Sequence, residues 1–218
     1  MEYYSASNMK SKKAKPEVDP STEEKIKNAA RVIFHKKGFA ATRTRDIAEE
    51  AGINLALLNY YFRSKEKLFD IIMLESMQGF LKSMAMLLNT EDNTFDEKVE
   101  LFISSYLDFL TEQPDLPLFV LSELRSNPSG FISKMDIKQL LMKSHFIKQF
   151  QEEVKKGRIT PMHPLHFLMN MVSMVIFPFV GRPILSHLGD LKDQDFMELM
   201  QQRKKLIPQW IKMMYKVK

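Results

Sequence analysis

The sequence contains no cysteine, few glycines and no long uninterrupted apolar run. Without cysteine there are no disulfides, no cysteine-ligated zinc or iron–sulfur site and no thiol nucleophile. The 7 glycines in 218 residues argue against phosphate-binding loops and hairpin turns. The most apolar stretch, residues 167–181, is interrupted by polar residues and a proline, and is shorter than the ~20 residues of a membrane-spanning helix. Residues 1–20 lack the apolar core of a secretory signal. We therefore expect a cytoplasmic protein with no membrane partner.

Common enzyme motifs are also missing. The sequence has no G-x-S-x-G, no Walker loop, no H-E-x-x-H and no Rossmann glycine pattern. His163 and His166 have a spacing that could bind a metal on one helix face. Pro164 lies between them, and we interpret both as capping or surface residues. The sequence therefore predicts a protein that is not an enzyme and holds no cofactor or metal.

The excess positive charge lies in the first third of the chain. The formal net charge is +5. Residues 21–67 carry ten Lys or Arg against six Asp or Glu, residues 1–20 add a net charge of +1, and residues 68–218 are neutral. A basic segment on a neutral body indicates a polyanionic partner for that segment, although a solvated basic face has the same composition.

The apolar periodicity is helical almost to the end of the chain, which predicts an all-α fold. A first helix is expected over Ser21–Lys37, with Ser21 as its cap and Gly38 at its end. Two short helices follow at 44–51 and 54–62, and Ser64 caps a long helix that runs to about residue 88. Further helices are expected near 95–112, 116–126, 131–156, 164–188 and 193–217. Pro178 and Pro208 should kink or split their helices.

The long fourth helix carries two apolar stripes. Leu68, Ile71 and Ile72 should face the N-terminal helices. The later stripe recurs by threes and fours and should face a second core: Met73, Met77, Phe80, Met84 and Leu87. One helix would thus belong to both domains and couple them mechanically.

Residues 44–62 have the pattern of a helix-turn-helix, in which a tight turn with Gly52 joins two helices. The stretch around this turn resembles the signature of the tetracycline-repressor (TetR) family over about residues 21–75. The matching residues are Gly38-Phe39, Ala41-Thr42, Thr44-Arg45-Asp46-Ile47-Ala48-Glu49-Glu50-Ala51-Gly52-Ile53, Leu58 and Tyr61-Phe62-Arg63-Ser64-Lys65-Glu66-Lys67-Leu68.

This resemblance implies a transcription regulator, usually a repressor. It implies a flexible basic arm over 1–20, a DNA-binding domain over 21–67, and a helical ligand-binding and dimerisation domain over 68–218. The partners would be a second copy of the chain, a near-palindromic double-stranded DNA operator, and a small apolar or aromatic effector that releases the operator.

The resemblance also implies the DNA-binding positions. They are Arg43, Thr44, Arg45, Asn54, Leu55, Ala56, Leu57, Asn59, Tyr60, Tyr61 and Lys65. Arg suits guanine, Asn suits adenine, and Lys suits phosphate. Leu57 and Asn59 stand where the family often has Thr and Tyr, and Leu55 or Leu57 could touch a thymine methyl. For Tyr60 and Tyr61 the alternative is partial packing in the core.

Methionine and aromatic residues of the C-terminal domain are candidates for an effector cavity. They are Phe80, Met84, Tyr106, Phe109, Met142, Phe146, Met169, Met174 and Phe177; plain core packing is the alternative for each. The helices over 164–188 and 193–217 are candidates for the dimer interface, because the first is apolar nearly all round. A large monomer core would explain the same pattern.

Two other classes of function compete with a ligand-responsive regulator. One is an all-helical hydrolase or lyase whose basic segment is incidental. The other is a helical scaffold that has lost DNA binding, which the departures at Leu57 and Asn59 would favour. The Thr44-Arg45 and Tyr61–Lys65 matches favour the regulator.

Overall fold

The structure, a computed structural model, describes residues 19–135 and 137–215, and every regular element in these ranges is an α-helix. The predicted arm over 1–20 lies outside the described residues except for its last two. The helices are α1 (Pro20–Ala41), α2 (Thr44–Glu50), α3 (Leu55–Phe62), α4 (Lys65–Asn89), α5 (Phe95–Glu112), α6 (Leu116–Ser126), α7 (Pro128–Ser133), α8 (Ile137–Met142), α9 (His145–Lys155), α10 (Pro164–Val180), α11 (Arg182–Leu188) and α12 (Asp193–Tyr215).

The first helix begins one residue earlier than predicted. Asp19 is its cap, because the Asp19 carboxylate accepts from the Ser21 backbone N–H at 3.0 Å. Pro20 occupies the first helical position, where its missing N–H has no cost. Gly38, the predicted end of this helix, interrupts it with φ of 71°, but helical residues follow and the helix ends at Ala41.

Helix α4 packs on helices of both domains, as the two stripes predict. It contacts the N-terminal helices α1 and α3 and the later helices α5, α6, α8 and α9. Glu75 ties it to α1 through Lys27 at 2.9 Å and Arg31 at 2.5 Å. By length and composition alone α4 could cross a membrane, but here its apolar residues form the shared core of the two domains.

The remaining helices form a second core around α5 and α12. Lys212 of α12 pairs with Glu100 of α5 at 2.9 Å, and Lys204 pairs with Asp108 at 2.5 Å. Arg203 is half-buried and donates to the Met174 carbonyl of α10 at 2.7 Å. Pro178 lacks the N–H that would bond this carbonyl in a regular helix, so Arg203 replaces it.

Three predictions about the helices were wrong. Residues 131–156 form no single helix, because Asn127 and Ser144 cap new helices at α7 and α9. Residues 164–188 bend by 70° between α10 and α11, at Gly181 rather than at Pro178. Helix α12 runs through Pro208 without a break.

One charged side chain is fully buried in the second core. The ammonium of Lys98 on α5 donates to the Leu88 carbonyl at 3.2 Å and lies 2.9 Å from His145 Nδ1. These contacts hold the start of α9 against the end of α4. Burial disfavours the charged form and lowers the pKa of Lys98.

The buried Lys98 predicts a specific dependence of stability on pH. Between its lowered folded pKa and the usual 10.5, the unfolded chain keeps a proton that the folded chain has released. The Lys98 contribution to the free energy of unfolding therefore rises with pH in that window. Urea denaturation should show the difference between wild type and Lys98→Met rising as the pH approaches 10.5 from neutrality.

The exposed Lys82 on α4 provides the control, since Lys82→Met should give a difference that does not change over the same range. A flat difference for Lys98→Met would contradict the account.

Candidate functional site

The helix-turn-helix is built by α2 and α3. Gly52 has φ of 64°, a conformation that glycine adopts without strain, and this allows the sharp turn. The Ile53 N–H then donates to the Ala48 carbonyl at 3.0 Å. Ile47, Ala48, Leu58 and Phe62 are buried beneath the pair of helices. These contacts fix the angle at which α3 is presented to solvent.

Helix α3 presents a polar face outward. Asn54 caps the helix, because its side-chain oxygen accepts from the Leu57 N–H at 2.8 Å. Ala56, Asn59 and Tyr60 are exposed, whereas Leu55 and Leu57 are half-buried. Asn54 therefore has an amide group left for another contact, while its oxygen is used within the helix.

Arg63 extends this face and was not among the predicted contacts. It directly follows α3, is exposed, and has φ of 58°, which turns the chain sharply toward α4. It lies three and four residues after Tyr60 and Asn59, a spacing that places side chains on one face of a helix. That spacing was the signal available in the sequence.

The start of α2 lies beside α3 and carries two exposed arginines, Arg43 and Arg45; Thr44 between them is half-buried. Asp46 holds this end in place, because it accepts from the Arg43 N–H at 3.1 Å and pairs with Lys37 at 2.9 Å. These two bonds, to the Lys37 ammonium first, lower the pKa of Asp46. The guanidinium of Arg45 forms no ion pair within residues 19–135 and 137–215.

Tyr61 and Lys65 form hydrogen bonds with other residues of the N-terminal helices. The hydroxyl of Tyr61 accepts from the Asp19 N–H at 2.8 Å, which joins α3 to the start of α1. The ammonium of Lys65 donates to the carbonyls of Phe39 and Thr42 at 2.9 and 3.0 Å and lies 4.2 Å from the Phe39 ring centroid. The immediate role of Lys65 is to tie the end of α1 to α4.

These contacts engage some of the ten basic side chains of residues 21–67 and leave the others without a partner among the described residues. Four of the ten basic side chains, Lys27, Arg31, Lys37 and Lys65, bind acidic groups or carbonyls. The other six make no ion pair or side-chain hydrogen bond with any described residue. They are Lys25, Lys36, Arg43, Arg45, Arg63 and Lys67. The basic side chains without a partner thus include Arg43 and Arg45 at the start of the helix-turn-helix and Arg63 at its end.

The second domain contains an apolar cavity of about 280 Å³. It lies between α4, α5, α6, α8 and α10. Its lining consists of Met77, Phe80, Leu81, Met84, Phe102, Tyr106, Leu110, Leu116, Pro117, Val120, Leu121, Leu124, Ile137, Leu141, Val172 and Ile176. Leu121 and Leu124 are exposed at its rim.

Three of the nine predicted effector residues, Phe80, Met84 and Tyr106, line this cavity, and six lie elsewhere. Phe146 is fully buried and stacks on Phe95 at 4.9 Å, inside another aromatic cluster. Met169 and Phe177 point outward and are 54% and 61% exposed. The remaining three lie half-buried outside the cavity wall: Phe109, Met142 and Met174.

Helix α6 forms a part of the wall in which sequence analysis named no residue. Methionine and aromatic residues were selected as candidates, whereas α6 contributes leucine, valine and proline. The available signal was that residues 116–121 are apolar on nearly every face of a short helix.

The segment before α6 contacts the DNA-binding domain. The Asp115 carboxylate accepts from the Phe39 N–H at 3.1 Å, and His35 Nδ1 donates to the Glu112 carbonyl at 2.7 Å. Asp115 directly precedes the α6 residues that line the cavity. The end of α1 therefore touches the element that forms one wall of the cavity.

Large apolar side chains are exposed on α10 to α12. Leu165, Met169 and Phe177 are spaced by multiples of four along α10, and Ile184, Leu188, Leu199 and Met213 are exposed on α11 and α12. Leu168, Val175 and Phe196, which lie in the helices predicted to form the interface, are buried in the chain's own core. Exposed large apolar side chains that cluster usually mark an interaction site.

Comparisons with known proteins identify the N-terminal domain. Residues 26–72 match the family model for bacterial regulatory proteins, tetR family. The probable HTH-type transcriptional regulator YttP of Bacillus subtilis (strain 168) is 26% identical over 170 residues, which cover 77% of this chain and 82% of YttP.

Solved structures share the fold of most of the chain. A TetR/AcrR-family transcriptional regulator from Thermobifida fusca YX-ER1 superposes with a TM-score of 0.60 at 16% identity, covering 86% of this chain and 97% of that one. The transcriptional regulator FadR from Bacillus subtilis, in complex with stearoyl-CoA, superposes with a TM-score of 0.51 at 20% identity, covering 84% and 96%.

These relatives are regulators rather than enzymes, and they agree with the helix-turn-helix and the all-helical second domain described above. Residues 26–72 thus match the DNA-binding domain of the tetR family, and most of the chain is similar to a probable transcriptional regulator.

Proposed function

We propose that this regulator is a homodimeric repressor that leaves its operator when a small apolar effector enters the second domain. Residues 21–67 would form its DNA-binding domain and residues 68–218 its effector and dimerisation domain. The observation that carries the proposal is the contact between the Asp115 segment, which begins the cavity wall, and the end of α1.

The dimer would form through the exposed apolar side chains of α10 to α12. Leu165, Met169 and Phe177 are large apolar side chains that a second copy would remove from water. Helix α10 contains no Asp, Glu, Lys or Arg, so two copies related by a two-fold axis can pack it against itself. A dimer presents two α3 helices to a near-palindromic site, about one DNA turn (~34–36 Å) apart.

On the operator, α3 would enter the major groove with Ala56, Asn59 and Tyr60 facing the bases. The half-buried Leu55 and Leu57 lie on the flanks of that face, where a thymine methyl is their natural contact. Arg43, Thr44 and Arg45 would contact phosphates and the groove edge. The unpaired cations support this orientation, because Arg43 and Arg45 lie at the start of the helix-turn-helix and Arg63 at its end.

Tyr61 and Lys65 take a different part in this proposal. Their polar groups already bond the start and the end of α1. They therefore position the helix-turn-helix, and the ammonium of Lys65 has one donor left for a phosphate. Arg63 joins the proposed contacts as a further cation at the end of α3.

Removing the Arg45 side chain should weaken operator binding by about 1–3 kcal/mol, because a charged contact to DNA is lost. The operator is first selected from random duplexes, and affinity is then measured by fluorescence anisotropy at fixed salt. Lys82→Ala, which removes an exposed charge from α4, should leave the affinity unchanged. A selection that enriches no sequence would contradict the DNA-binding proposal.

The effector would act through α4 and α6 together. Both helices line the cavity, and both contact the end of α1. An occupied cavity would favour one arrangement of these helices, whereas the operator favours one spacing of the two α3 helices. Ligand and DNA would then oppose each other with a coupling free energy of about 1–3 kcal/mol.

Asp115→Ala should reduce this coupling while leaving each binding event intact. The substitution removes the bond to the Phe39 N–H but touches neither the cavity wall nor the DNA-facing surface. An apolar probe is identified by thermal shift, and operator affinity is measured with and without it. We expect the probe to weaken operator binding less in Asp115→Ala than in wild type.

Glu112→Ala is the matched control, since it also removes a carboxylate from this segment but keeps the backbone carbonyl that His35 binds. Equal coupling in Asp115→Ala and wild type would exclude this route. Tight probe binding with no change in operator affinity of the wild type would contradict effector control altogether.

A further inference from the structure

The cavity contains one polar side-chain group, the hydroxyl of Tyr106. Tyr106 lies on α5, is 7% exposed, and packs its ring against Phe80 at 4.6 Å and Phe102 at 5.7 Å. No described residue forms a hydrogen bond with this hydroxyl. Because Tyr106 lines the cavity, its unpaired hydroxyl is available to bond a polar group placed there.

Tyr106 can serve only as a neutral hydrogen-bond partner. Burial raises the pKa of its phenol above the usual 10.0, so the hydroxyl keeps its proton at physiological pH. A neutral phenol donates one hydrogen bond, and its geometry directs that bond in the plane of the ring. The ligand atom that it binds best is an acceptor oxygen.

The rest of the lining sets the nature of the ligand. The fifteen other lining residues are aliphatic, aromatic or methionine side chains, and none of them carries a charge. A buried carboxylate or ammonium would therefore lose its hydration without gaining a partner, which is strongly unfavourable. The cavity of about 280 Å³ is near the lower end of the range for small-molecule sites, ~300–1,000 Å³.

We propose that the effector is an uncharged molecule with a compact hydrocarbon body and one acceptor oxygen, such as a ketone, ester or amide carbonyl, which Tyr106 binds. This inference rests on the proposed effector function of the cavity. Tyr106 is then the residue that determines specificity, because it distinguishes an acceptor-bearing ligand from a pure hydrocarbon of the same shape.

Three probes of nearly equal size test this proposal by calorimetry without DNA: butylbenzene, benzylacetone and phenylbutyrate. They carry no oxygen, a ketone and a carboxylate on the same phenylalkyl body. Wild type should bind benzylacetone about tenfold more tightly than butylbenzene, the ratio given by one net hydrogen bond. At neutral pH phenylbutyrate should bind more weakly than both.

Tyr106→Phe should abolish the preference for benzylacetone and leave the affinity for butylbenzene within about twofold. The ring and its packing are kept, and a thermal melt confirms that the variant is folded. Tyr61→Phe removes a hydroxyl from the DNA-binding domain instead, and its ligand preferences should equal those of wild type.

The outcomes separate this inference from the proposed function. Equal affinity of wild type for butylbenzene and benzylacetone, or tightest binding of phenylbutyrate, would overturn the role of Tyr106 but leave the cavity as an effector site. A Tyr106-dependent preference with no effect on operator affinity would uphold this inference and refute effector control. No binding of any probe at millimolar concentration would overturn both.

Discussion

Phe69 lies at the point where the N-terminal helices and the later helices meet. Its ring contacts Phe34 of α1 edge-on at 5.1 Å, Phe39 at 4.5 Å and Phe119 of α6 at 6.1 Å. Each such aromatic pair contributes about 0.5–1.5 kcal/mol beyond the burial of its area. Phe69 itself belongs to α4, so three helices share one buried ring and cannot shift independently.

In the proposed mechanism, this shared contact links the cavity to a distant surface. Close-packed side chains such as those around Phe69 transmit displacement from one helix to the next. Helix α6 forms one cavity wall and directly follows Asp115, which bonds the end of α1. Lys65 then bonds the same end of α1 to α4. A movement of α4 relative to α6 must therefore change the position of the helix-turn-helix.

The features that the sequence predicted depend on residues that lie close together in the chain. The helix-turn-helix depends on Gly52, on buried residues within a few positions of it, and on caps such as Ser64, so its pattern is contained in a short segment. The two stripes of α4 are likewise a property of one helix. The resemblance to the TetR family rests on the same segment, where order, spacing and residue type agree.

The features that the sequence did not predict depend on contacts between residues that lie far apart in the chain. Asp115 bonds Phe39 across 76 residues, and Lys65 reaches back to carbonyls that carry no residue-specific signal. The cavity wall on α6 consists of leucines that any core could use. Met169 and Phe177 are of residue types that often line pockets, but both side chains are exposed. Only the packing of α10 against the other helices decides which of its sides is buried.

The distance between the two DNA-binding domains of the proposed dimer tests the central claim most directly. Because the chain has no cysteine, Glu50→Cys at the exposed end of α2 accepts a single nitroxide per copy, and pulsed electron resonance measures the distance between the two. The account predicts that a cavity ligand and the operator shift this distance in opposite directions. An unchanged distance with the ligand bound, while operator affinity falls, would contradict it.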